Sequence, residues 1–251
     1  MAEYLLDHGA DVDASIRGVT PFLWLIFNSA PCSMYNSEEH LPVAQLLLDR
    51  GADRDAIYPG GRDSIKIAAQ SGLTIYIDIL QLILDYDKYR PISIARLNEA
   101  LLLSLGHSEA VKCLLDHGVQ AEFLDRNGRT PLLILRGGYL DRNARGDNFY
   151  THLLTIQALL EHGANTNALC PVSGDTALLF VSDRNVPSAH TLSTLLLQYG
   201  ADLRAKCPLT GATPLIRVAR NRQANLVKLY LEHGADVMQV NRSDGIRVDG
   251  R

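Results

Sequence analysis

The stretch Leu5-Leu6-Asp7-His8-Gly9-Ala10-Asp11 decides the fold, because closely related stretches recur along the chain of 251 residues. Counted from Gly9, the glycines of successive copies are 42, 67, 45, 37 and 34 residues apart. The interval of 67 is close to twice the shortest interval of 34, so one degenerate copy is expected inside it. A unit of this length buries its apolar face only against its neighbours. The sequence therefore predicts a repeat solenoid, whose usual role is to bind a partner along an extended surface.

Residues 204–241 show the elements of one repeat. Thr213 is placed to cap a first helix, and Pro214 fits its first turn, where a missing N–H costs nothing. A second helix is predicted through Leu226 and Leu231, and Gly234 supplies the left-handed residue that ends it. The expected order is turn, helix, turn, helix and a hairpin-like loop.

This pattern resembles the ankyrin repeat over nearly the whole chain. The Thr-Pro-Leu-His opening of that family is matched in part at Thr20, Thr130, Thr176 and Thr213, and its Gly-His-x-Glu turn is present at Gly106. No copy keeps the histidine of the opening, so apolar packing is expected to join neighbouring repeats instead. The resemblance implies an all-α ankyrin-repeat solenoid of about six repeats, with a half repeat at the N-terminus.

We expect a single domain over residues 1–251. Its expected units are a half repeat at 1–16, full repeats near 17–57, 58–93, 94–125, 126–170, 171–207 and 208–240, and the start of a further hairpin at 241–251. Because the chain begins inside a second helix and stops in a hairpin, we expect it to be a segment of a longer protein. Polar loops at 28–42 and 139–152 lengthen two repeats, and such loops either contact a partner or are neutral insertions.

Composition limits the function classes. A net charge of -4 argues against general nucleic-acid binding, which needs clustered Lys and Arg. The four cysteines have no Cys-x-x-Cys spacing and are expected to be free thiols of a reducing compartment; they are Cys32, Cys113, Cys170 and Cys207. Since no signal peptide, lipidation motif or membrane-length apolar run is found, we expect an intracellular protein, cytoplasmic or nuclear, without membrane insertion.

Motifs for chemistry are missing from the sequence. The segment from Gly106 to Ala110 approaches a nucleophile elbow but lacks the closing glycine. Four histidines share one helix-end position, with no second ligand at His-x-x-x-His spacing, and are interpreted as structural; they are His8, His117, His162 and His233. Neither a phosphate-binding glycine loop nor a dinucleotide fingerprint occurs. We therefore predict no enzymatic activity, no cofactor and no metal.

The ankyrin resemblance implies that first helices and hairpins line a concave face that binds another protein. Carrying the family register across gives these stripe candidates: Trp24, Ile67, Leu101, Ile134, Phe180 and Arg217. The alternative for Ile67, Leu101 and Ile134 is that they pack between neighbouring first helices. Contiguous exposed apolar stripes mark recognition surfaces. The expected hairpin-tip contacts are Asp13, Asp55, Asp125, Arg204 and Lys206.

The same resemblance implies a modification site and a function. Ankyrin hairpins can carry an asparagine that intracellular asparaginyl hydroxylases modify, with a leucine eight residues earlier, and Asn167 with Leu159 has this spacing. The implied function is a non-catalytic, monomeric module for protein–protein interaction. The alternative is a substrate-targeting or regulatory segment of a larger enzyme, such as a ubiquitin-ligase receptor or a kinase.

Overall fold

A computed structural model describes residues 1–28, 40–86, 91–138, 147–183 and 188–238. In these ranges the protein forms thirteen α-helices and one pair of two-residue strands, which confirms the all-α prediction. The chain divides into two compact units, Met1–Gln120 and Ala121–Arg251. Cys32, the predicted hairpin at 241–251 and most of both predicted loops lie outside the described residues. The prediction of a single domain with the stated repeat boundaries stays a prediction.

The first unit consists of helix pairs stacked side by side. Its helices are α1 (Ala2–Asp7), α2 (Pro21–Asn28), α3 (His40–Asp49), α4 (Ser64–Ser71), α5 (Thr74–Asp85), α6 (Ile94–Ser104) and α7 (Ser108–Asp116). Helix α2 packs on α3, α4 on α5, and α6 on α7, while α4 contacts both α2 and α6, and α5 contacts both α3 and α7. Strands β1 (Ile57–Tyr58) and β2 (Arg62–Asp63) form a short antiparallel hairpin before α4.

The second unit repeats this arrangement. Its helices are α8 (Pro131–Gly138), α9 (Asp147–Glu161), α10 (Ala177–Asp183), α11 (Ala189–Gln198), α12 (Pro214–Arg220) and α13 (Ala224–Glu232). Each first helix packs on the second helix that follows it, and α10 contacts both α8 and α12. Thr213 caps α12 by accepting a hydrogen bond from the backbone N–H of Ile216, and Pro214 occupies the first turn, as predicted.

Parts of two predicted loops are helical. Helix α2 ends at Asn28, α3 begins at His40 and α9 begins at Asp147, so residues 28, 40–42 and 147–152 were wrongly included in the loops. Pro42 and Asp147 both favour the first turn of a helix, the proline through its fixed φ and the aspartate through the helix dipole. Pro42 and Asp147 are therefore signals for the start of a helix.

The recurring histidines have a structural explanation. In His8, His117, His162 and His233, Nδ1 lies 2.8, 2.7, 2.8 and 2.8 Å from the carbonyl oxygen four residues earlier. A protonated Nδ1 there donates to a carbonyl near the helix end, where fewer intrahelical donors remain. The glycine after each histidine has φ of 85° or 86°, which favours glycine because a Cβ is disfavoured in the left-handed region. These pairs end the second helices.

Candidate protein-binding surface

Three aromatic residues form a surface on the first unit. Helix α2 is apolar all round but buries only one side, through Phe22, Leu23 and Ile26, all at 0% exposure. Trp24 stays 56% exposed, and Phe27, one helical turn later, stays 47% exposed. We call Trp24, Phe27 and Tyr58 the aromatic surface. Large exposed apolar groups in one place mark an interaction site more often than scattered ones do.

The β1–β2 hairpin supplies the third ring of the aromatic surface. The rings of Phe27 and Tyr58 are stacked, with centroids 4.7 Å apart and planes inclined by 11°. Tyr58 pairs with Arg62 in the hairpin register, so both side chains lie on one side of it. A Cβ built on Gly18 would lie 3.7 Å from Pro59 Cγ, which places the preceding Ile16–Val19 turn beside this hairpin. Helix α2 and two hairpins therefore meet at the aromatic surface.

Two acidic groups beside this hairpin share one arginine. Arg96, on α6, places Nε 3.0 Å from Asp63 Oδ2 and also forms an ion pair with Asp55. Burial lowers the pKa of Arg96, but hydrogen bonds and charges from Asp55 and Asp63 outweigh it and raise the pKa above its ordinary value. Asp55, predicted to contact a partner at a hairpin tip, is thus held in an internal ion pair.

Leu101 corrects the predicted stripe. Its side chain is 0% exposed, so the prediction that it contacts a partner is wrong. Helix α6 contacts both α4 and α7, and Leu101 is one of its buried residues. Ile67, Ile134 and Phe180 are half-buried on their first helices, and Trp24 is the stripe candidate with a largely exposed side chain.

Arg217 is the second correction. It is 9% exposed, with Nη2 2.7 Å from Asp175 Oδ1 and Nη1 donating to the carbonyl of Leu179 at 2.9 Å. Burial lowers the pKa of Arg217, but the hydrogen bond and charge of Asp175 hold it above its ordinary value. Asp175 lies just before α10, one repeat earlier than Arg217. The predicted cationic end of the stripe is therefore part of a buried structural ion pair.

The hairpin-tip candidates divide into two groups. The Asp13 carboxylate accepts a hydrogen bond of 2.9 Å from the backbone N–H of Asp53, on the next hairpin. Asp125 binds Arg129; burial opposes its charge, yet backbone and side-chain hydrogen bonds from Arg129 lower the pKa of Asp125. These carboxylates hold the hairpins in place. The side chains of Arg204 and Lys206 are exposed and form no ion pair among the described residues.

Asn167 connects two hairpins. Its Nδ2 donates to the carbonyl of Gly200 at 3.0 Å, and its Oδ1 accepts from the backbone N–H of Asp202 at 2.8 Å. The residue as a whole is exposed. Hydroxylation of Asn167 stays a prediction.

The rest of the described chain offers little for chemistry. No group of three His, Cys, Asp or Glu side chains in the described ranges is arranged to hold a metal ion. The cysteines in those ranges, Cys113, Cys170 and Cys207, are buried free thiols. Of the helices that the structure describes, none is long and apolar enough to cross a membrane.

Comparisons with known proteins agree with this architecture. Residues 148–241 match the family model for ankyrin repeats, in three copies. The fold is similar to the crystal structure of the ankyrin repeat domain of Bcl-3, described as a unique member of the IkappaB protein family, with a TM-score of 0.63 and 23% sequence identity over 92% of this chain and 90% of that one. A search of curated protein sequences found no match. Residues 148–241 are therefore ankyrin repeats by family match, and the chain has the ankyrin-repeat fold.

Proposed function

We propose that the protein is a non-catalytic module that binds another protein through a face formed by its first helices and hairpins, with the aromatic surface as the main contact. Ankyrin repeats are protein–protein interaction modules, and their fold is generally non-catalytic. The observation that carries the proposal is the exposure of Trp24 at 56% and Phe27 at 47% beside the ring of Tyr58. Tryptophan and tyrosine are enriched among the residues that carry most interface energy.

The cost of this exposure supports a binding role. Burying an aromatic side chain removes on the order of 150–250 Å² of surface from water, and each Å² of apolar area is worth about 25 cal/mol. Helix α2 leaves two such rings on its outer side although its inner side is fully packed. A partner that covers Trp24 and Phe27 recovers that burial energy. No contribution from catalysis is needed to explain the arrangement.

The charge of the chain favours protein over nucleic acid as the partner. At a net charge of -4, phosphate backbones are repelled unless basic residues cluster locally. Arg96 and Arg217 are used in ion pairs inside the repeats and do not contribute to such a cluster. The proposal further includes a monomeric state. It also includes an intracellular location, because the three cysteines of the described ranges are buried free thiols.

Affinity capture with matched variants tests this function. Wild-type chain, a Trp24→Ala/Phe27→Ala variant and an Ile94→Ala control are immobilised, exposed to cell lysate and compared by quantitative mass spectrometry. Ile94 is 74% exposed at the start of α6, so its truncation removes exposed apolar area while leaving Trp24, Phe27 and Tyr58 unchanged. We expect one protein to be retained by wild type and control and lost by the double variant. Equal retention by all three would contradict the proposed surface.

A further inference from the structure

We propose that the ligand of the aromatic surface is an acidic peptide segment with one aromatic or leucine anchor side chain. The inference rests on the proposed function and adds the chemical class of the partner. Its basis is the combination of an aromatic surface with two exposed arginines that form no ion pair among the described residues, beside two aspartates that are already paired with Arg96.

Four side chains, those of Trp24, Phe27, Tyr58 and Arg62, follow one another along this surface. Trp24 and Phe27 are three residues apart on α2, so they lie on the same side of the helix. Phe27 stacks on Tyr58. Tyr58 lies directly across the hairpin from Arg62, and such cross-strand pairs have Cβ atoms about 5 Å apart. An apolar area therefore ends at a guanidinium group.

Two arginines lie beside the aromatic surface. Arg62 is exposed, and so is Arg17 on the neighbouring turn, where Gly18 approaches Pro59. Among the described residues, neither arginine has an acidic partner. Asp55 and Asp63, the acids of the same hairpin, are paired with Arg96. Arg62 and Arg17 therefore place two exposed guanidinium groups beside the aromatic surface, where an acidic ligand group can pair with them.

Ligand chemistry follows from these two observations. A guanidinium group binds a carboxylate through two parallel hydrogen bonds, which fix direction as well as distance. An anchor ring or leucine side chain beside Trp24 and Phe27 gains burial and aromatic contact. A basic segment is repelled by Arg62 and Arg17. A single-stranded nucleic acid could also stack on these rings and carries negative charge. Proteins that bind it use a groove of basic residues that follows the phosphate backbone, whereas only two arginines lie beside the aromatic surface among the described residues.

Selection from a display library of random dodecapeptides on the intact chain tests the inference. Parallel selections use Trp24→Ala/Phe27→Ala, Arg62→Glu, Arg62→Gln and an Arg126→Glu control, since Arg126 is exposed and lies in the second unit. Equal thermal unfolding temperatures show that the variants are folded. We expect wild type and control to enrich peptides rich in Asp and Glu with an aromatic or leucine residue. Arg62→Glu should lose the acidic bias and bind the enriched peptides about tenfold or more weakly, with Arg62→Gln between.

The outcomes separate the two proposals. Enrichment that needs Trp24 and Phe27 but shows no acidic bias, or is the same with Arg62→Glu, would overturn this inference and leave the proposed function standing. Failure to enrich any peptide above the double aromatic variant would overturn both. A fluorescein-labelled oligothymidylate that binds through Trp24 more tightly than the enriched peptides would replace the peptide by a nucleic acid.

Discussion

The guanidinium Nη2 of Arg217 lies 2.7 Å from Oδ1 of Asp175, and both side chains are largely buried. Removing one member of a buried ion pair leaves the other charge without compensation and costs about 3–5 kcal/mol. We therefore expect Arg217→Met to lower the free energy of unfolding by about that amount in urea denaturation. Arg220→Met, an exposed change on the same helix, should cost less than about 1 kcal/mol. Similar losses for the two variants would show that the pair does not stabilise the repeat.

Tyr230 makes a buried hydroxyl cluster that Tyr230→Phe would break. Its Oη lies 2.8 Å from Ser182 Oγ and 2.9 Å from Ser193 Oγ, and the side chain is 0% exposed. Replacing Tyr230 by Phe keeps the packing but deprives the serines of a partner, which should cost about 1–3 kcal/mol. Chemical denaturation measures the loss. A variant as stable as wild type would indicate that water or the serines themselves satisfy the freed groups.

Cys113 gives a prediction for pH. Burial, followed by the charges of Asp116 and Asp85, raises the pKa of its thiol to about 12, from an ordinary value of 9.0. The unfolded chain therefore loses this proton first, so the stabilising contribution is complete below pH 9 and is lost as pH rises toward 12. Cys113→Ala should flatten the fall of the free energy of unfolding between pH 9 and pH 12.

The burial of Cys113 also predicts slow alkylation. At pH near 8, Cys113 in the folded protein should react with iodoacetamide far more slowly than in the unfolded chain. Equal labelling rates would contradict the burial.

Gly72 and Gly51 form a matched pair of substitutions. Both have positive φ, 65° and 87°, so alanine is strained at either position by about 1 kcal/mol. A Cβ on Gly72 would also clash with the imidazole ring of His107, whereas a Cβ on Gly51 meets nothing within 4 Å. We expect Gly72→Ala to be clearly the more destabilising in urea denaturation, and adding His107→Ala to restore part of the difference. Equal costs for the two glycines would show that His107 moves aside freely.

The sequence predicted the helix ends at the histidine-glycine pairs and the capped start at Thr213 correctly, because these features are local. The histidine-glycine ends depend on hydrogen bonds within five residues and on one left-handed position, so sequence neighbours determine them. The capped start at Thr213 is equally local. Such features are carried by each repeat independently of the rest of the chain.

The site was predicted less well because it depends on contacts between repeats. A register identifies where Leu101 and Arg217 lie along a helix, but not which neighbour covers Leu101 or that Asp175 lies opposite Arg217. Phe27 was missed for the same reason, since its stack with Tyr58 requires the hairpin to bend back onto α2. Its position three residues after Trp24 was the available signal.

The most direct test of the central claim is the dissociation constant of the captured partner, measured by isothermal titration calorimetry for wild type, Trp24→Ala, Ile94→Ala and Phe180→Ala. Phe180 is the half-buried stripe candidate of the second unit, so its variant reports on that unit separately. The account predicts that Trp24→Ala weakens binding about tenfold or more, as expected for an interface anchor, while Ile94→Ala leaves it unchanged. An unchanged dissociation constant for Trp24→Ala, with unfolding temperatures equal to wild type, would contradict the aromatic surface as the binding site.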